Sequence, residues 1–166
     1  MIRDAKPRKI NTLEESNLSG SFQFLSFNVA GHYYGLDLLT IKEVSLWHEP
    51  TWIPNAPDYV KGIINIRGTI IPIIDLCDRF SLSPEKYDPL SKRIIIILHS
   101  KSNAIERSIG IPVYQVPNTY TIDYSDIVPF TDNKNIILKN YIRGLVTIEN
   151  KMVMLLNAKD LMSDVI

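Results

Sequence analysis

Short runs of β-branched and aromatic residues, each cut off by glycine, proline or a polar turn, set the tightest limit on what this chain can form. The clearest case is Lys61 to Leu76. Ile64 to Arg67 and Thr69 to Ile74 are both rich in isoleucine, a residue that suits the pleated surface of a strand. Gly68 stands between them, where a positive φ costs least, so the pattern predicts a hairpin. Pro72 has no N–H to donate, and its vacant side must face away from a partner strand. Asp75 is the expected N-cap of a short helix over Asp75 to Phe80. Arg67 places a charge at the turn between two apolar strands, and such a charge needs a carboxylate, water or a binding partner.

The same texture runs along the chain. Phe22 to Phe27 carries apolar groups on both faces, which suits a strand covered on both sides. Ala30-Gly31-His32 turns it, and Tyr33 to Leu36 returns. Asp37 can cap a single helical turn over Leu38 to Ile41. Lys42 to Trp47 reads as a strand with Glu43 on its polar side. Trp52 to Pro57 is a loop pinned by Pro54 and Pro57. Arg93 to His99 is apolar enough for a buried strand, and Lys101-Ser102-Asn103 turns it. Glu106 to Val113 follows, with Gly110 and Pro112 pointing to a bulge or an edge. Tyr114 to Ile122 extends the path, and 123–135 is polar and irregular. Tyr141 to Glu149 and Met152 to Leu156 form a last hairpin across Asn150-Lys151, and Asn157 caps a helix over Ala158 to Met162. About ten short strands at roughly 8–12-residue spacing, with little helix, mean a barrel or a sandwich. The proline-bearing stretch Ser81 to Ser91 is the best internal boundary. No repeat of 20–50 residues is legible.

Chemistry is harder to find. An enzyme needs a nucleophile with a base, a metal constellation or a phosphate cradle. His32, His48 and His99 stand far apart, and Cys77 is the single cysteine. That excludes an internal disulfide and a multi-cysteine zinc site. Asp75 and Asp78 are explained by a cap plus a solvated residue. No catalytic residue, metal ligand or cofactor site is expected. The 18 basic and 18 acidic residues balance to +0, whereas a general nucleic-acid binder needs a basic surplus. No secretory h-region follows Met1, and the longest apolar runs, such as Ile94 to Leu98, are too short to span a bilayer. The expected compartment is the cytoplasm.

Four stretches then add up to a family resemblance. Tyr34-Gly35-Leu36-Asp37-Leu38-Leu39-Thr40-Ile41-Lys42-Glu43-Val44, Ile53-Pro54-Asn55-Ala56-Pro57, Val60-Lys61-Gly62-Ile63-Ile64-Asn65-Ile66-Arg67-Gly68 and Ile71-Pro72-Ile73-Ile74-Asp75-Leu76 resemble, in order and spacing, the CheW family of bacterial chemotaxis adaptors. The likeness runs from Phe22 to the C-terminus and is strongest up to Phe80. Tyr141-Ile142-Arg143-Gly144 and Leu155-Leu156-Asn157 resemble the family's last hairpin and helix.

The resemblance implies a mostly β fold: two SH3-like five-stranded β-barrels side by side, with short helices and a C-terminal helix. On that reading 1–20 is a flexible arm and 21–166 the CheW-like domain. The first barrel takes about 21–90, the second about 91–156, and the closing helix 157–163. It also implies a non-catalytic adaptor between a CheA-type histidine kinase and methyl-accepting chemotaxis receptors, reaching the membrane only through those receptors. Leu38, Ile41, Glu43, Gly62, Arg67 and Gly68 are the expected receptor-binding groove, with Glu43 and Arg67 able to pair. Trp52, Ile53, Pro54 and Asn55 are the expected kinase-binding surface. Tyr114, between Pro112 and Pro117, stands where the family often has an acidic residue, and the N-terminal arm is long. Those departures admit one alternative, a paralogue serving a twitching or surface-sensing pathway. A small β-barrel ligand-binding protein is the reading from another class, and it would need a pocket of convergent polar groups.

Overall fold

The computed structural model describes residues 20–83, 93–115, 117–131, 134 and 136–163. Within them run ten strands: β1 (Ser21–Val29), β2 (His32–Asp37), β3 (Ile41–Leu46), β4 (Val60–Ile66), β5 (Thr69–Ile74), β6 (Ile94–Ser102), β7 (Ile105–Val113), β8 (Asn118–Asp123), β9 (Ile142–Ile148) and β10 (Lys151–Leu156). Three short helices join them: α1 (Leu76–Arg79), α2 (Ile136–Tyr141) and α3 (Ala158–Ser163). The strands form two five-stranded sheets, in the orders β8-β1-β2-β10-β9 and β3-β6-β7-β5-β4. Each closes toward a barrel through one bridge. Thr51, beyond β3, pairs with Ile63 of β4, and Val128, beyond β8, pairs with Leu145 of β9. Closure removes the open edges that would otherwise invite pairing with other chains.

The expected split at Ser81 to Ser91 does not follow the sheets. β1 and β2 lie with β8–β10, while β3–β5 lie with β6 and β7. The chain crosses between barrels after β2 and again after β7. Each half of the sequence therefore gives one hairpin to one barrel and three strands to the other. The proline-bearing stretch separates halves of the sequence, not barrels, and its residues 84–92 lie outside the described residues, as does most of the arm expected over 1–20.

The two halves repeat one plan. Gly62 faces Ile73 and Gly144 faces Leu155, with a register shift next to each pair. Asp75 N–H donates to Tyr59 O, and Asn157 N–H donates to Tyr141 O, both at 2.8 Å. Asp75 Oδ1 accepts from Cys77 N–H at 2.8 Å, and Asn157 Oδ1 accepts from Lys159 N–H at 3.1 Å. These are the expected caps at the start of α1 and α3, each satisfying backbone donors that a helix cannot satisfy internally. Ile63 spends both backbone groups on Thr51 (2.9 and 2.8 Å), leaving none for Pro72 opposite. The missing donor of Pro72 is therefore not needed on that side.

The largest apolar cluster lies between the barrels and draws on both. Leu25 and Phe27 of β1, Tyr34 and Leu36 of β2, Ile96 and Leu98 of β6, and Leu161 of α3 meet there. The alternate residues of the same strands fill the barrels themselves: Phe22 and Phe24 in one, Ile95 and Ile97 in the other. This is why β1 and β6 are apolar on both faces. Each isoleucine so buried contributes about 1.5–3 kcal/mol. Arg79 of α1 ties the halves together: its guanidinium lies 4.8 Å from the ring centres of both Tyr59 and Tyr141 and donates to the Tyr141 hydroxyl.

Three local expectations are corrected. β7 is neither bulged against β6 nor an edge; its register with β6 is unbroken from Ile105 to Val113. Gly110 is there because a Cβ would come within 2.7 Å of Ile73 Cδ1 and 2.8 Å of Ile95 Cγ2. Lys101 and Ser102 continue β6, and the turn falls on Asn103-Ala104, both at positive φ. Tyr141 ends α2 instead of opening a strand, and the last hairpin turns on Glu149-Asn150, again both at positive φ.

Candidate functional site

The Gly68 turn is built from backbone conformation outward. Arg67 (φ 49°) and Gly68 (φ 82°) are both left-handed, the arrangement a tight hairpin needs. Asn65 Oδ1 accepts from Gly68 N–H at 2.9 Å and holds the turn. Arg67, a residue that adopts this conformation at a cost, is thereby held at the tip with 73% of its side chain exposed.

Glu43 reaches it from β3. The pairing of β3 with β6 slips between Ile41 and Glu43, and the side chains of Arg67 and Glu43 form an ion pair across the mouth of the barrel. Glu43 is the more sheltered partner, at 27%. An exposed pair of this kind contributes about 0–1 kcal/mol, so its consequence is geometric: it links the tip of the β4–β5 hairpin to β3.

Upstream, Asp37 caps the single turn Leu38–Thr40, its Oδ1 accepting from Leu39 N–H at 2.9 Å. Leu38 and Ile41 are half-buried, packed on the central cluster. Leu39 between them is 86% exposed, and Val44 and Leu46 project from the outer face of β3 at 47% and 74%. Sequence reasoning singled out none of these three. The period-2 alternation of β3 was the available signal, because it puts Val44 and Leu46 on the face opposite Glu43.

Other expected site residues go elsewhere. Gly62 is buried at φ 138°, and any side chain there would run into the Thr51 carbonyl oxygen. Its backbone lies against the strand-closing residue Thr51. Trp52 is 74% exposed immediately after the Thr51 bridge. Ile53 is half-buried, and Pro54-Asn55 make an exposed turn with Asn55 at φ 61°. Because Thr51 sits beside Ile63, this loop starts about 13 Å along β4 from the Arg67 tip. Glu43, Arg67 and Gly68 are thus brought together with the Leu38–Ile41 turn leading into β3, while the Trp52 loop forms a neighbouring, separate surface.

A second exposed ion pair joins Lys61 to Asp78 of α1. The hydrogen bond to Asp78 raises the Lys61 pKa above its ordinary value, against a smaller opposing effect of burial. Tyr114 is half-buried beneath Arg93, which lies 5.0 Å from its ring centre and 4.9 Å from that of Trp47. The tyrosine standing where an acid was expected therefore has a packing role. Among the described residues, no three His, Cys, Asp or Glu side chains gather as a metal site, and no helix is long and apolar enough to cross a membrane.

Comparison with known proteins gives the geometry its context. The CheW-like domain family matches residues 23–165. The chemotaxis protein CheW of Klebsiella aerogenes is 31% identical over 141 residues, covering 85% of this chain and 81% of that protein. The chemotaxis protein CheW of Rhizobium meliloti is 29% identical over 137 residues, covering 82% and 84%. In three dimensions the chain resembles the crystal structure of the scaffolding protein TtCheW from Thermoanaerobacter tengcongensis, with a TM-score of 0.72 and 29% identity over 84% of this chain and 86% of that one. The chain belongs to the CheW-like domain family.

Proposed function

We propose that this chain is a non-catalytic adaptor that couples methyl-accepting chemotaxis receptors to a CheA-type histidine kinase. The observation that carries the proposal is the Arg67–Glu43 pair, held across two strands beside the Leu38–Ile41 turn. Leu39, Leu38 and Ile41 supply apolar area for a receptor helix, and Glu43, Arg67 and Gly68 supply a fixed polar corner that sets its register. Gly62 acts one step back, by holding β4 in place. The loop Trp52, Ile53, Pro54 and Asn55 is the kinase-facing surface: an exposed tryptophan on a proline-stiffened loop loses little freedom on binding. Work of this kind needs no bond-making chemistry. Similarity over most of the chain to proteins named chemotaxis CheW favours this reading over a twitching or surface-sensing paralogue.

The two surfaces are separable by experiment. In pull-downs with a receptor cytoplasmic fragment and, separately, with a CheA-type kinase, Arg67→Glu should weaken receptor retention and leave kinase retention intact. Trp52→Ala should do the reverse. Receptor retention unaffected by Arg67→Glu in a folded variant contradicts the assignment.

A further inference from the structure

Away from the Arg67 corner, a cavity of about 430 Å³ opens between β2, β10 and α2. Leu82, Phe130, Leu138, Leu145, Met152 and Met154 give it an apolar wall. No aspartate or glutamate lines it, and Lys151 stands at its margin. The Lys151 ammonium donates to the Tyr33 hydroxyl at 3.0 Å and lies 4.7 Å from the centre of that ring. It has no carboxylate within ion-pair distance among the described residues. Its nearest described partner is therefore a neutral phenol, with the Glu149 carboxylate acting on it from beyond ion-pair distance. Tyr34 also lines the cavity, and its buried hydroxyl has no hydrogen-bond partner among the described residues.

Concave, mostly apolar spaces of this size with a few converging polar groups are the usual form of a small-molecule site. Two methionines in the wall let it adapt to the shape of an occupant. A cationic occupant is opposed by the exposed Lys151 ammonium, whereas an anionic one gains its attraction. We infer that the cavity binds a small amphipathic monoanion, an alkyl or aryl carboxylate whose apolar body lies against Leu138, Leu145 and Met154 and whose carboxylate meets Lys151 and the Tyr33 hydroxyl. This site is independent of the adaptor surfaces, and its presence or absence leaves that reading untouched.

The test is calorimetric titration of the full chain with decanoate below its micellar concentration, alongside decanol and decyltrimethylammonium. Decanoate should bind saturably at one site, about two- to fivefold tighter than decanol, because the attraction to the exposed Lys151 is lost with the alcohol. The cation should bind most weakly. Lys151→Glu and Met152→Glu both alter exposed positions, so the fold should survive, and each should remove the decanoate preference. Equal binding of the three amphiphiles, no saturable binding, or a preference that persists in both folded variants overturns the proposal. So does displacement from the cavity by a peptide but never by decanoate, which would make it a protein-docking surface.

Discussion

The β4–β5 hairpin with α1 and the β9–β10 hairpin with α3 are built on one backbone plan and carry different chemistry at their tips. Both turn on two left-handed residues, Arg67-Gly68 in one and Glu149-Asn150 in the other. Both place a buried glycine beside a bridge from a preceding loop, and both end in a capped short helix. At the first tip Arg67 reaches out to Glu43 of β3; beside the second, Lys151 folds back onto Tyr33. The shared features are what the fold demands, because two dissimilar sequences meet them. The tip side chains are what it leaves open, and the left-handed arginine at the first tip presents its charge to Glu43.

Substitutions at counterpart positions sharpen the comparison. The largest effect should come from Gly62→Ala, which meets a backbone carbonyl from a left-handed conformation and should cost about 3 kcal/mol or more. Gly144→Ala meets the Ile127 side chain at 2.6 Å and Val128 O at 3.1 Å without a positive φ, and should cost about 1–2 kcal/mol. Denaturant midpoints measure both, and equal losses would show that the closures are equivalent. Arg79→Met comes next. It removes a ring contact and a hydrogen bond to Tyr141 that span the halves, and a ring contact to Tyr59 within the first, a loss of about 1–3 kcal/mol. Asp75→Ala and Asn157→Ala should each cost about 1 kcal/mol, and a much larger loss at either would mean that cap does more than start its helix.

The smallest effect at neutral pH belongs to Tyr34→Phe. Among the described residues its hydroxyl has no hydrogen bond to lose, so stability should stay within about 1 kcal/mol of the parent chain. The difference appears in alkali. Burial, aided by Cys77, raises the Tyr34 pKa, so the folded chain keeps this proton while the unfolded chain releases it above about pH 10. The unfolded state then binds fewer protons, and stability falls as pH rises past that point. Tyr34→Phe should blunt the fall, as read by denaturation at pH 7 and above pH 10. An unchanged alkaline slope would count against that assignment.

Much of this was legible in the residues. The hairpins, the caps at Asp37, Asp75 and Asn157, and the two-faced strands β1 and β6 follow from local rules: periodicity, turn chemistry and capping. The Glu43–Arg67 pair was reachable through the family resemblance. The exchange of strands between barrels was not legible, because it depends on which hairpins meet across long separations, and no local pattern encodes that. The repeat was hidden for the same reason: Lys61-Gly62-Ile63-Ile64 and Arg143-Gly144-Leu145-Val146 match in size and polarity but barely in identity. Gly110 misled for a related cause, since its role comes from side chains that approach from other strands. Helix α2 followed a polar stretch with no strong start signal.

The central claim is coupling through the Arg67 tip, and autophosphorylation of a CheA-type kinase in the presence of receptor tests it directly. Adding the parent chain should raise kinase activity, while Arg67→Glu, with a thermal unfolding midpoint close to the parent's, should leave it near the level without adaptor. A folded Arg67→Glu chain that activates the kinase as fully as the parent would contradict it.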